Sequence, residues 1–180
     1  MATFAVAVAG APGSFAPMPQ YVALLRGIGP ANPATRNDRL AAALAATGCT
    51  EVRPVLASGN LVFQARARAP EALELKIEAA LARHTGVAIE THIRSEDELA
   101  AMVQSDPFNG AAHGAEWYLT VTFFKDRRPP VFSKLARASL DGPEFMTGLD
   151  QRFGRHITTR TWNTVLKIME KMRRSGGGPT

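Results

Sequence analysis

With 180 residues, 46% of them apolar, the chain has material for one domain or for two small halves sharing a core. Its single cysteine, Cys49, excludes an intrachain disulfide, and His84, His92, His113 and His156 lack the paired Cys/His spacings of a tetrahedral zinc site. The formal charge of +5 is concentrated in residues 125–174, with twelve Lys/Arg against five Asp/Glu, and no apolar run approaches the roughly 20 residues that cross a bilayer.

Residues 1–17 are small, apolar and punctuated by Gly and Pro, yet lack the basic start of a signal peptide. They are read as a disordered extension, or as the product of a misplaced start with Met18 the alternative. The organised chain is expected to begin at residue 19, with a cytoplasmic location and no membrane partner, metal or cofactor.

Residues 21–28 (YVALLRGI) form an apolar, β-prone run closed by Gly27 and Gly29. Thr35 and Asp38 resemble a capping box for a first helix, whose face carries Leu40, Ala43, Leu44 and Thr47 and which ends at Gly48. Residues 52–57 and 61–64 read as a β-hairpin around Ser58, Gly59 and Asn60. Pro70 suits the first turn of a second helix, followed at helical spacing by Leu73, Ile77, Ala80, Leu81 and His84 and ended by Gly86. Residues 87–94 then alternate as a strand. The order β-α-β-β-α-β is the split βαβ, or ferredoxin-like, arrangement for residues 19–94.

A second, smaller α+β half is expected over residues 95–174. Ser95 and Glu98 make a capping box for a helix with Leu99, Met102 and Val103 on its apolar side. The acids Glu96, Asp97 and Glu98 are explained by the helix dipole rather than by metal or acid/base chemistry. Residues 117–124 (WYLTVTFF) form a strand, and Pro129 and Pro130 interrupt the chain beyond it. Pro143 opens a helix bearing Phe145, Leu149 and Phe153, ended by Gly154. Residues 156–159 lead into a last helix, from Trp162 to about Arg174, with Trp162, Val165, Leu166, Met169 and Met172 on one side. Residues 175–180 (SGGGPT) read as a flexible tail.

Three segments carry a resemblance: YVALLRGI at residues 21–28, SGNLVF at 58–63 and TTRTWNTVLKI at 158–168. In order and spacing the chain resembles the bacterial family catalogued as domain of unknown function 1697, whose members carry YVALLRGINVGG-like text, a QSGN-V-F hairpin and a TTRNWNTV-K signature. The resemblance implies an α+β protein with ferredoxin-like parts and supplies no activity. The family's Asn-Val-Gly-Gly loop is replaced here by Gly29, Pro30, Ala31 and Asn32, and Ala57 stands where the family has Gln. Family members carry further strand-forming sequence after the equivalent of residues 117–124. Here residues 125–130 pass toward the helical stretch, so a truncated second half, short of one or two strands and with an open sheet edge, is expected.

The residues with chemical potential cluster at the polar ends of these segments. Thr158, Thr159, Arg160, Thr161, Asn163 and Thr164 combine hydroxyls, an amide and a guanidinium at the start of a helix, as an anion site would; capping by Thr161 or Asn163 explains the same residues. Arg26 interrupts an apolar strand and is either paired and partly buried or aimed into a cleft. Gly27 and Gly29 fall short of a dinucleotide fingerprint, and Ser58 has neither a nucleophile elbow nor partners in triad order. Two functional readings are open. One is a binding module for nucleic acid or another polyanion, acting through a basic patch of Arg155, Arg160, Arg173 and Arg174. The other is a small enzyme or sensor holding a phosphorylated or carboxylated metabolite between the halves, lined by Arg26, Gly27, Ser58, Gly59, Asn60, Thr158, Thr159, Arg160, Asn163 and Thr164. Convergence of these residues on one concave pocket would favour the second.

Overall fold

The computed structural model describes residues 18–29, 32–57, 59–66 and 69–176. The extension over residues 1–17, Ser58 and the tail residues 177–180 lie outside the described residues. In chain order the elements are β1 (Gln20–Leu25), α1 (Asn37–Ala45), β2 (Thr50–Pro54), β3 (Asn60–Gln64), α2 (Pro70–Thr85) and β4 (Thr91–Ser95). They continue with α3 (Glu96–Gln104), β5 (Trp117–Phe124), β6 (Val131–Ala136), α4 (Gly142–Phe153), β7 (Ile157–Thr161) and α5 (Trp162–Gly176). The chain is a mixed α+β protein with two antiparallel sheets, ordered β2-β3-β1-β4 and β6-β5-β7.

The continuous apolar text of β1 has a physical reason: both faces of its sheet are covered. Strand side chains alternate, so Tyr21, Ala23 and Leu25 pack against Leu40, Ala43 and Leu44 of α1 and Ile77 and Leu81 of α2. Val22 and Leu24 point the opposite way, into a core shared with Leu119, Val121 and Phe123 of β5, Leu99 of α3 and Val165, Ile168, Met169 and Met172 of α5. The second sheet turns its other face, through Phe124 and Ile157, toward Phe145, Leu149 and Phe153 of α4.

Local signals account for most boundaries. Pro70 occupies the first turn of α2 and Gly86 ends it in the left-handed region at φ +71°. The capping box of α3 is formed in both directions between Ser95 and Glu98. Thr35 does not cap α1. It lies in a 3-10 turn capped by Asn32, and its hydroxyl donates to the carbonyl of Asn32, while Arg36 precedes α1 without a side-chain cap.

The expectation of missing strands is corrected: β6 follows β5 and pairs with it from Trp117↔Ala136 to Thr122↔Val131. The pair Pro129 and Pro130 does not end the sheet, because it falls in the turn before β6, where no ladder N–H is needed. The sheet keeps β6 and β7 as its edges. Leu166 also departs from its expected place on the buried side of α5; it is exposed, while Trp162 is buried edge-on against Phe108.

Candidate functional site

The site begins with an arginine that joins the two sheets. Arg160 sits on β7 opposite Val121 of β5. Its Nε donates to Asn60 Oδ1, and Nη1 donates to Thr158 Oγ1 (2.8 Å) and Thr159 O (2.9 Å). Its Nη2 donates to Leu25 O (2.8 Å) and Gly59 O (3.5 Å). A guanidinium has five N–H groups, and here all five find acceptors, every one of them uncharged. Among the described residues no carboxylate pairs with Arg160. Burial pushes its pKa down to about 10, which leaves it cationic at neutral pH.

Arg26 follows directly on β1 and ties that strand to the second sheet and to α4. Its Nη1 donates to Ile157 O, and its Nη2 lies 3.0 and 2.9 Å from the two carboxylate oxygens of Asp150. Sequence left open whether Arg26 is paired or reaches a cleft; it does both, since Arg26 and Asp150 line the same cavity.

That cavity, of about 440 Å³, opens between the end of β1, strand β7, the start of α5 and helix α4. Two arginines and one aspartate line it, together with the hydroxyl-bearing side chains of Tyr118, Thr158, Thr159, Thr161 and Thr164. Its volume lies within the usual range of small-molecule sites. The hydroxyls are paired: Thr159 Oγ1 is 2.9 Å from Thr122 Oγ1, and Thr161 Oγ1 is 2.9 Å from Thr164 Oγ1. Thr161 Oγ1 also accepts the backbone N–H of Thr164, so this residue caps α5 as well as facing the cavity.

The sequence-marked residues divide into three groups. Arg26, Gly27, Thr158, Thr159, Arg160 and Thr164 meet in the cavity wall. Gly59 and Asn60 stand behind it: Asn60 is fully buried, and both offer an oxygen to Arg160. Asn163 turns away, its amide donating to His113 O at 3.4 Å. Sequence reasoning missed Tyr118, Met146 and Asp150, which carry no local motif and reach the cavity through tertiary packing.

The four arginines of the basic patch occupy different places. Arg155 is exposed beside His156, whose ring binds Glu90, and the backbone carbonyl of Glu90 accepts Arg26 N–H at the Leu25 end of β1. Arg173 and Arg174 follow Met172, whose carbonyl accepts Gln20 at the opposite end of that strand. Arg174 is further paired with Glu170 at 2.6 Å. A larger groove of about 800 Å³, between β6 and α4, is mainly apolar and contains none of the candidate site residues marked from the sequence.

Fold and site together define an α+β protein with two antiparallel sheets and a hydroxyl-lined, ligand-sized cleft where they meet. The chain belongs to the family described as "Protein of unknown function (DUF1697)", which matches residues 18–151. A solved structure, described as that of the conserved bacterial protein SP0830 from Streptococcus pneumoniae, is similar with a TM-score of 0.62 and 18% sequence identity. The similarity covers 87% of this chain and 99% of the pneumococcal one, and it supports the fold. No curated protein matches the sequence. Among the described residues no helix is long and apolar enough to cross a membrane.

Proposed function

We propose that the protein binds a small anionic metabolite, phosphorylated or carboxylated, in the cleft between its sheets, and that it acts by binding. The observation that carries this reading is Arg160, whose N–H groups are all satisfied by uncharged oxygens. A carboxylate partner would cancel its charge; neutral acceptors hold the guanidinium rigidly and leave its field in the cleft. With Arg26 offset by Asp150, the lining keeps a net positive charge. The threonine hydroxyls supply short-range donors for an anion.

The polyanion reading has less support. Its arginines are divided between the two ends of β1, about 17 Å apart for a strand of this length, and Arg174 is already paired with Glu170. A catalytic reading lacks a general base: the cleft lining contains no histidine, and its one carboxylate is engaged by Arg26.

Met146 provides the test, because it lines the cleft, is 41% exposed and takes no part in the hydrogen bonds around Arg160. Calorimetric titration with inorganic phosphate should give measurable binding, weakened about tenfold or more in Met146→Glu and strengthened in Met146→Lys. Both variants should melt within a few degrees of the parent. Equal affinity for phosphate in Met146→Glu, Met146→Lys and the parent would refute the cleft as the anion site.

A further inference from the structure

The cleft contains more hydrogen-bonding capacity than a bare anion can use. A threonine hydroxyl has one proton to donate and two lone pairs to accept with. In the pair Thr161–Thr164, both of which line the cleft, one O–H is spent on the neighbour and one remains, together with lone pairs that only a donor can satisfy; Thr159 Oγ1, paired with the buried Thr122, keeps lone-pair capacity of its own. Thr158 Oγ1 accepts from Arg160 and keeps its own proton. Inorganic phosphate, with one or two O–H protons at neutral pH, would take the threonine protons and leave most of the lone pairs unmatched.

Asp150 adds the decisive asymmetry. Both of its oxygens face the same nitrogen of Arg26, and its side chain is 40% exposed, so acceptor capacity remains toward the cleft. A carboxylate repels an anion placed beside it and accepts from a hydroxyl. Through Arg26 and Ile157 O, Asp150 is fixed near the start of β7, whereas Thr161 and Thr164 stand at its far end, about 13 Å along the strand. Phe145 meets Tyr118 and Phe153 meets Phe124, which orients α4 so that Met146 lies toward the Thr161 end and Asp150 toward the Ile157 end. The lining thus places its one carboxylate at the Ile157 end and hydroxyls without a carboxylate at the Thr161 end.

We propose that the ligand is a phosphorylated polyol, such as a sugar phosphate: its phosphate sits at the Thr161 and Thr164 end, and its hydroxyls donate to Asp150 and exchange hydrogen bonds with Thr159. The inference rests on the reading of the cleft as an anion site and specifies what that anion is attached to.

The full-length chain should be titrated calorimetrically with glucose 6-phosphate, ribose 5-phosphate and glycerol 3-phosphate against inorganic phosphate. At least one phosphorylated polyol should bind about tenfold or more tightly than phosphate. Asp150→Asn should abolish that advantage while leaving affinity for phosphate intact or raised. Should Asp150→Asn fail to fold once Arg26 loses its partner, Thr159→Val, whose hydroxyl makes no hydrogen bond to Arg26, should reduce the same advantage severalfold. Phosphate binding as tight as all three polyol phosphates would overturn the polyol assignment and leave the anion site standing. Silence from phosphate and polyol phosphates alike would remove the anion site and this inference with it.

Discussion

His92 illustrates how one buried side chain sets a pH limit. It is fully buried on β4, its Nε2 lies 2.9 Å from Glu90 Oε1, and its Nδ1 has no hydrogen-bond partner. Burial lowers its pKa to about 4; Glu90 pulls upward, while Lys125 and Arg94 add to the downward shift. Between pH 6.5 and 4 the unfolded chain therefore binds a proton at this position that the folded chain refuses, so stability falls as pH falls through that window. Denaturant unfolding at pH 7.5 and 4.5 should show a loss of about 2–3 kcal/mol attributable to His92, and His92→Leu should remove that part of the pH dependence. An unchanged pH dependence in the variant would show that His92 does not remain neutral in the fold. Gly59 makes a different demand. Its φ is +65°, and a Cβ there would lie 2.8 Å from Ile28 Cγ1, while its carbonyl accepts from both Leu25 N and Arg160. Gly59→Ala should cost about 1–3 kcal/mol, read as a lowered unfolding midpoint.

Among the elements, α4 is weakly held for its length. Of its twelve residues only Leu149 is buried; Phe145 and Phe153 are half-buried, and the ion pair Asp150–Arg26 is its polar tether to β1. Local opening follows the amount of buried apolar contact, so α4 amides should exchange with deuterium about tenfold or more faster than those of α5, which buries Trp162, Val165, Ile168, Met169 and Met172. Protection in α4 equal to that of α5 would contradict this ranking. The same contrast explains what the sequence made legible. β1, β5, α2 and α3 were readable because each carries a dense apolar run or an explicit cap, and tertiary packing agrees with those local signals. β6 was hidden: its residues are at most half-buried, so its text VFSKLA shows little of the core's alternation, and two prolines precede it. The site divides in the same way. Arg26, Thr158, Thr159 and Arg160 stood out as polar side chains inside or beside strand-like text. Asp150, Met146 and Tyr118 occupy unremarkable positions in a helix and a strand, and only the packing of α4 against the second sheet brings them to the cleft.

At the scale of the whole molecule, the two halves expected on either side of residue 94 are joined by a shared core. Val22, Leu24 and Val62 of the first sheet are almost wholly buried against Leu119, Val121, Phe123 and the α5 side chains. Arg160 binds Leu25 O, Gly59 O and Asn60 across the same boundary, and Arg94 donates to Phe124 O at 2.7 Å. Exposing three such aliphatic side chains costs about 5–9 kcal/mol, comparable to the entire stability of a small domain. The two halves should therefore fold as one cooperative unit, although each has its own sheet. The full chain should unfold in a single transition with coincident far-UV and tryptophan signals, because Trp117 and Trp162 both report on the second half while α1 and α2 dominate the helix signal of the first. A fragment of residues 18–95 should bind a hydrophobic dye and lack a cooperative melt, since its sheet would present Val22, Leu24 and Val62 to water. A cooperative melt of that fragment would mean that α1 and α2 alone outweigh the open face; the cleft, which needs Arg26 from one half and Arg160 from the other, would then depend on docking two independently stable bodies.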